Sequence, residues 1–174
     1  MSNSPATAPQ RNVHLAWHHF QFQVPETWEV IQYKKNSDDG QLGLSDRHGQ
    51  TMQVFWRRMP EEAAVQKRLI DLGLANYEDE LSEREIRRHI ETQAGWRAFL
   101  PRREGMAVFA GRFLKKDGIL LSLIFPPHPV TDNHNAAQHI IRTFKSNNDT
   151  ERAWAAFGLD LSLPESWRLA EVDP

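Results

Sequence analysis

The chain has 174 residues, 40% of them hydrophobic and 25% charged, and a formal net charge of −2. This composition is typical of a globular domain, and the charge argues against nucleic-acid binding by the whole surface. Cysteine is absent, which excludes disulfides, thiolate metal sites and cysteine nucleophiles. Residues 1–13 read as a disordered tail without a signal sequence, and no stretch approaches the ~20 apolar residues of a membrane helix. We therefore expect a cytoplasmic location and no membrane insertion.

An antiparallel meander is predicted for the N-terminal third. Apolar residues alternate from Leu15 to Val24, with a phase change near His18 and His19 that marks either a bulge or the start of the strand. Pro25 ends this strand. Further short strands are predicted at residues 28–32, 42–44 and 52–56, separated by turns at 36–40 and 47–49.

Helical spacing begins after Pro60. Apolar positions three and four apart predict a helix over residues 61–76. Segment 81–92 fits two structures, because Ser82 and Glu85 form the capping pattern of a helix, whereas Ile86 and Ile90 also fall on one face of a strand. Strands follow at 96–100, 106–113 and 119–125, and a closing helix is capped by Thr131 or Asp132.

The opening pattern of the chain recurs near its end. Residues 20–30 read FQFQVPETWEV, and residues 159–169 read LDLSLPESWRL, 139 positions later. We interpret this as a domain over residues 14–146, followed by a linker and the first strand of a truncated second copy over 147–174. The apolar segment 157–163 is expected either to dock on the first domain or to pair with a neighbouring chain. A chain that is part of a longer gene product is a further alternative.

These motifs together resemble the PsbP-like family. The resemblance covers about residues 15–146 and depends on F-x-F-x-V-P-E-x-W at the start, Gly95 with Trp96, L-x-F-P at the end of a strand, and I-I-x-T-F at the end of the last helix. It implies a bacterial member of unassigned role with an α+β fold, in which an antiparallel sheet of about six strands is sandwiched by helices. It also implies a strand over residues 86–91 and no shared enzymatic activity.

No arrangement of polar residues predicts a catalytic site, a metal site or a cofactor. The eight histidines lack the spacing of a zinc site, since the adjacent His18 and His19 point to opposite faces of a strand. Ser45, Asp46 and His48 are triad residue types, but consecutive loop residues are better explained as a polar hairpin turn. Six tryptophans are core candidates, and Trp28 and Trp167 occupy equivalent positions in the repeat.

Basic residues concentrate between positions 84 and 116. If strands 86–91 and 95–100 are neighbours, Arg87, Arg97 and Arg112 share a solvent face and form a strip for an acidic partner protein. The competing interpretation is a salt-bridged outer sheet surface.

Three classes of function remain open. We favour a non-catalytic protein–protein interaction domain of a tandem-repeat protein. One alternative is a chaperone or adaptor that shields an apolar segment of a client such as a secreted effector, which predicts a concave, exposed, apolar sheet face. A second alternative is an enzyme with residues gathered from distant loops, which predicts a deep pocket with convergent His, Asp or Arg groups.

Overall fold

The computed structural model describes residues 11–34, 38–60, 62, 64–77, 80–101, 103, 105–147, 151–156 and 159–164. These residues form three helices and twelve strands. The helices are α1 (Ala64–Tyr77), α2 (Glu83–Arg88) and α3 (Asn133–Thr143). The strands are β1 (Asn12–Trp17), β2 (Phe20–Pro25), β3 (Glu29–Tyr33), β4 (Asp39–Asp46), β5 (Gly49–Arg58), β6 (Ile90–Gln93), β7 (Trp96–Phe99), β8 (Val108–Leu114), β9 (Ile119–Phe125), β10 (Lys145–Ser146), β11 (Glu151–Ala156) and β12 (Leu159–Pro164).

A seven-stranded antiparallel sheet forms the centre of the fold, in the order β3-β4-β5-β9-β8-β7-β6. It joins the predicted N-terminal meander to the predicted C-terminal meander, because β5 pairs with β9. Strict alternation puts Val54 and Leu123, which are partners in the ladder, on one face, and Phe55 and Ser122 on the other. The alternating pattern identified β5 correctly, and the apolar run after the turn at 115–118 identified β9.

The second sheet is five-stranded, in the order β10-β2-β1-β11-β12. Strands β1 and β2 form a hairpin in which Trp17 faces Phe20, so the phase change is a two-residue turn at His18 and His19, and strand β2 starts directly after it at Phe20. His18 adopts a positive φ of 40° there, a conformation that usually requires glycine or asparagine. Strand β1 begins at Asn12, inside the tail predicted for residues 1–13, and residues 1–10 lie outside the described part.

The main core lies between the two sheets, and α3 closes one end of it. Apolar side chains of β1 and β2, including Trp17, Phe20 and Phe22, pack there against the inner face of the seven-stranded sheet. Helices α1 and α2 cover part of the other face through a smaller cluster around Leu69 and Phe109. The α+β class and the antiparallel pairing are confirmed. The predicted sandwich of one sheet by helices was wrong, because the second sheet occupies most of one face.

Four tryptophans are core residues, as predicted: Trp17, Trp28, Trp56 and Trp96 are at most 6% exposed. The side chains of Trp154 and Trp167 lie outside the described part of the chain.

Segment 83–88 is a helix with His89 as its C-cap and β6 begins at Ile90, so the strand predicted for residues 86–91 was wrong over its first four positions. The Ser82 hydroxyl accepts a hydrogen bond from the Glu85 backbone N–H, and the Glu85 carboxylate accepts one from the Ser82 backbone N–H. This capping box satisfies backbone donors that a helix start would otherwise leave free. Ile86 is fully buried against α1, where Gly73 allows close approach, since a Cβ on Gly73 would lie 2.8 Å from Ile86 Cγ2.

Helix α3 begins at the predicted cap. The Asp132 carboxylate accepts hydrogen bonds from the backbone N–H groups of His134 and Asn135, and Ala137, Ile140 and Ile141 form its buried stripe. No helix among the described residues is both long enough and apolar enough to span a membrane.

Candidate protein interface

The second copy of the opening motif forms a hairpin equivalent to the first. Adding 139 to the bounds of β1 and β2 gives the bounds of β11 and β12. Residues 157–158 and 165–174 lie outside the described part of the chain. The repeated pattern therefore corresponds to a repeated supersecondary unit, and that unit includes the strand before the motif.

The two hairpins pair with each other through β1 and β11. Ala16 of β1 faces Ala155 of β11 in an antiparallel ladder, and these two alanines are themselves equivalent under the 139-residue offset. Antiparallel pairing at equivalent positions relates the two hairpins by a local two-fold axis that passes between these residues. Strand β12, which contains most of the predicted segment 157–163, pairs with β11, and β11 pairs with β1 of the first domain.

Both alanines at the axis are buried. Ala16 is 0% exposed and Ala155 is 1% exposed. Comparison of β1, NVHLAW, with β11, ERAWAA, shows alanine at this position as the single identity in six. The adjacent Ala156 packs against the main core, so the second hairpin contacts the body of the domain as well as the strand edge.

The chain is fixed to the first hairpin immediately before β11. Strand β10 pairs with β2, and the Asn147 backbone N–H donates to the His19 carbonyl. The Asn147 side chain donates to the His18 carbonyl at 2.6 Å and accepts from Gln21 Nε2 at 3.1 Å. These contacts hold the start of the predicted linker at the β1–β2 turn.

The predicted basic strip does not form. Arg87 lies on α2, where it pairs with Glu83 at 2.6 Å. Arg97 lies opposite Gly111 in the β7–β8 ladder and faces α1, where it donates to Gln66. Arg112, the next residue after Gly111, points to the other face of the sheet.

On that opposite face, the Arg112 guanidinium lies 4.9 Å from the centre of the Phe144 ring and donates to the Ala94 carbonyl. Burial lowers the pKa of Arg112. The three predicted residues therefore occupy three environments. The shared solvent face was wrong for two reasons: Arg87 lies on a helix, and Arg97, opposite Gly111, lies on the other face of the sheet from Arg112.

Cations without ion-pair partners among the described residues occur elsewhere. Lys34, Arg57 and Arg68 line a cavity of about 450 Å³ between α1 and the outer face of β4, β5 and β9. Its floor includes Ser122, which is 3% exposed and makes no side-chain hydrogen bond to the described residues. This cavity was not predicted, because its residues come from four separate elements and the sequence shows no cluster.

The triad-like residues form a turn, as predicted. The Ser45 hydroxyl donates to the Gly49 carbonyl at 2.7 Å, and the Asp46 carboxylate accepts from the His48 backbone N–H at 2.7 Å. Arg47 donates to His48 Nε2. No contact joins the Ser45 hydroxyl to a histidine ring, so the residues do not form a nucleophilic site.

A distant histidine completes this turn. The His128 side chain is 1% exposed, and its Nε2 lies 3.1 Å from an Asp46 carboxylate oxygen. Its Nδ1 accepts hydrogen bonds from the backbone N–H groups of Val130 and Thr131, which assigns the proton to Nε2. Burial alone would raise the pKa of Asp46, but the His48 N–H and His128 together lower it below its ordinary value.

Neither a metal-binding group, among the described residues, nor a similar known protein was found. Within the described ranges, no group of three His, Asp or Glu side chains is arranged to hold a metal ion. No family model, curated protein or solved structure matches the chain.

Proposed function

We propose that this chain is a non-catalytic protein–protein interaction domain of a tandem-repeat protein, similar in type to the PsbP-like family. The observation that supports the proposal is the pairing of two equivalent hairpins across Ala16 and Ala155. Strand addition to a sheet edge is a general mode of protein recognition, in which backbone hydrogen bonds supply affinity. Here the edge of β1 receives the opening unit of a second copy of the same fold.

The second hairpin has the pattern of a unit that covers another sheet. In the first copy, Phe20, Phe22 and Val24 are at most 2% exposed because they pack against the seven-stranded sheet. The offset makes Leu159, Leu161 and Leu163 their counterparts. The tandem-repeat proposal assigns the equivalent sheet to a second domain of the protein.

The polar character of the outer sheet face supports an interaction domain over a client-shielding chaperone. Opposite the main core, β3, β4 and β5 present Gln32, Gln41, Gln53 and Arg57, with half-buried Phe55 among them. A chaperone for an apolar segment needs a contiguous apolar surface instead. This face is mixed, as expected for a scaffold.

The environment of His128 supports a non-catalytic role. A general base needs a ring nitrogen that can reach substrate. Both nitrogens of His128 are occupied, Nε2 by Asp46 and Nδ1 by backbone N–H groups. The pair therefore joins two loops, which favours an interaction domain over an enzyme with a dispersed site.

The acidic partner predicted from the sequence is better matched by the cationic cavity than by the arginine strip. The lining of the cavity carries four cationic side chains and two carboxylates, Asp39 and Asp71, which leaves it with a net positive charge. We include in the proposal that an acidic surface of a partner protein contacts this cavity.

Strand addition can be tested with the full chain and a peptide of residues 148–174. Ala155→Pro should release the resident hairpin, because proline cannot complete the ladder of a strand that lies between two others. We expect the folded A155P chain to bind the labelled peptide by fluorescence anisotropy. The wild-type chain should bind it far more weakly, since its own hairpin competes at an effective concentration of about 1 mM.

The matched control is the same peptide with proline at position 155, which should not bind. If the A155P chain has a native circular dichroism spectrum and still does not bind the unmodified peptide at about 1 mM, the proposed strand addition is wrong.

The acidic-partner element has a separate test. Affinity capture should be run with the full chain, with R57E/R68E and with R87E as matched baits. Arg87 is already paired with Glu83, so R87E should retain a stoichiometric acidic partner that R57E/R68E loses. Retention by R57E/R68E would contradict the placement of the contact in the cavity.

A further inference from the structure

The ladder between β1 and β11 has its symmetry centre at a single residue pair. Ala16 and Ala155 face each other and are equivalent in the repeat. A surface that pairs with its own equivalent across a two-fold axis is self-complementary, as in an isologous dimer. The same edge can therefore pair with a second copy of itself.

We propose that the edge of β1 is a homodimer interface, in which β1 of one chain pairs with β1 of a second copy of this chain, Ala16 against Ala16. The resident β11–β12 hairpin occupies this edge and blocks self-association. The inference rests on the proposed function, because it uses the equivalence of the two hairpins. It adds the partner, the register and the element that controls access.

Alanine suits the position on such an axis. Any side chain at position 16 would meet its own symmetry mate, and a directly opposed pair in an antiparallel ladder has Cβ atoms only about 5 Å apart. Ala16 and Ala155 are both buried in the existing pair, so little room remains for a larger residue. Strands β1 and β11 carry the same amino acid only at this position. This pattern is expected if only the residue on the axis must be the same in both strands.

The rest of β1 needs no rearrangement to accept a second copy. Leu15 and Trp17 point into the main core, where they are 4% and 2% exposed. Pairing along the edge uses backbone groups and leaves this face intact. Asn147 fixes the chain at the β1–β2 turn, so displacement of the hairpin can begin after that residue.

Release of the hairpin in the full chain tests the proposal. We expect A155P to form a dimer in size-exclusion chromatography with light scattering, whereas the wild type should be monomeric at the same concentration. Peptide 148–174 should dissociate the dimer, because both compete for the edge of β1. A folded A155P chain that binds the peptide but stays monomeric would overturn this inference while leaving the proposed function intact.

Cysteine substitution tests the register, since the native chain contains no cysteine. In A16C/A155P the two cysteines of the dimer would face each other across the axis. The distance between their Cα atoms would suit a disulfide, so oxidation should give a covalent dimer. In V13C/A155P the partner of residue 13 is residue 19 of the other chain, so this matched control should not crosslink. Equal crosslinking of the two variants would overturn the register.

A second pair of variants covers the case in which A155P does not fold. A16C and V13C can then be compared in chains that keep Ala155. Covalent dimers of A16C should accumulate as the hairpin opens, and those of V13C should not. Equal accumulation in the two variants, or none from A16C at high concentration, would overturn the proposal.

Discussion

His128 Nε2 and the Asp46 carboxylate lie 3.1 Å apart, although 82 residues separate them in the chain. Their contact joins the β4–β5 turn to the loop that follows β9. The His128 side chain is 1% exposed and that of Asp46 is 10% exposed. Water therefore has little access to either group and can replace little of the hydrogen bonding between them.

Removal of the His128 ring should therefore destabilise the fold. His128→Ala leaves the Asp46 carboxylate and the Thr131 N–H without this partner, and we expect a loss of about 1–3 kcal/mol in the free energy of unfolding. His48→Ala is the matched control, because His48 is exposed on the same turn, and it should change stability by less than about 0.5 kcal/mol. Urea denaturation measures both. Similar values for the two variants would contradict a structural role for His128.

The lowered pKa of Asp46 predicts an acid-dependent contribution to stability. A carboxyl whose folded pKa lies below its unfolded value, about 3.9, stabilises the fold above that value and loses the contribution as pH falls through the folded pKa. The stability difference between wild type and Asp46→Asn should therefore be constant near pH 5 and shrink below about pH 4. Urea melts from pH 5 to pH 2 measure it. A stability difference between the two proteins that grows toward low pH would contradict the lowered pKa of Asp46.

Gly73→Ala should destabilise the packing of α1 on α2. Alanine favours a helix over glycine by about 1 kcal/mol, but its Cβ would lie 2.8 Å from Ile86 Cγ2, and overpacking of this kind costs about 1–3 kcal/mol. Ile86→Ala removes the opposing atoms. The double variant should consequently be more stable than the sum of the single effects predicts, which a double-mutant cycle measures by urea denaturation. Additive effects would indicate that the close contact is absent.

A disulfide should form within one chain between cysteines at the two-fold axis. A16C/A155C is expected to oxidise to a monomeric species of altered electrophoretic mobility, and closure of so long a loop should stabilise the fold by about 2–5 kcal/mol. A16C/S162C is the matched control, because Ser162 lies in β12 and faces Ala153, not β1. Efficient crosslinking of the control would show that the hairpin does not hold the observed register.

Regular alternation made most of the central sheet predictable. Val54 of β5 and Leu123 of β9 are buried in the main core, whereas their neighbours Phe55 and Ser122 lie on the other face of the sheet. In β5 this alternation is visible in the sequence. The cap of α3 at Asp132 left a similar local signal. These elements depend on interactions within a few residues, so local reasoning was sufficient.

Features that depend on distant contacts were not predictable. The turn at His18 has an unfavourable local conformation and is held by Asn147, which lies more than 120 residues away. Ile86 fits a strand or a helix equally well, and its burial beside Gly73 decides between them. The arginine strip failed for the same reason, since helix α2 turned Arg87 away from the sheet.

The repeat was visible in the sequence, but its geometry was not. The motif around Phe20 and Leu159 indicated one strand, whereas the structure contains a two-stranded unit whose first strands pair at Ala16 and Ala155. Strands β1 and β11 share only that alanine, so similarity could not reveal them.

The pairing of β5 with β9 also sets the order in which the chain can mature. Strand β5 leaves the ribosome about 60 to 70 residues before β9, its partner in the ladder. A fold dominated by such remote partners has a high contact order, and its refolding is expected on the scale of milliseconds to seconds. The edge of β5 that pairs with β9 therefore stays open until β9 is synthesised, whereas the inner face of the meander can already pack on the β1–β2 hairpin, which is synthesised first.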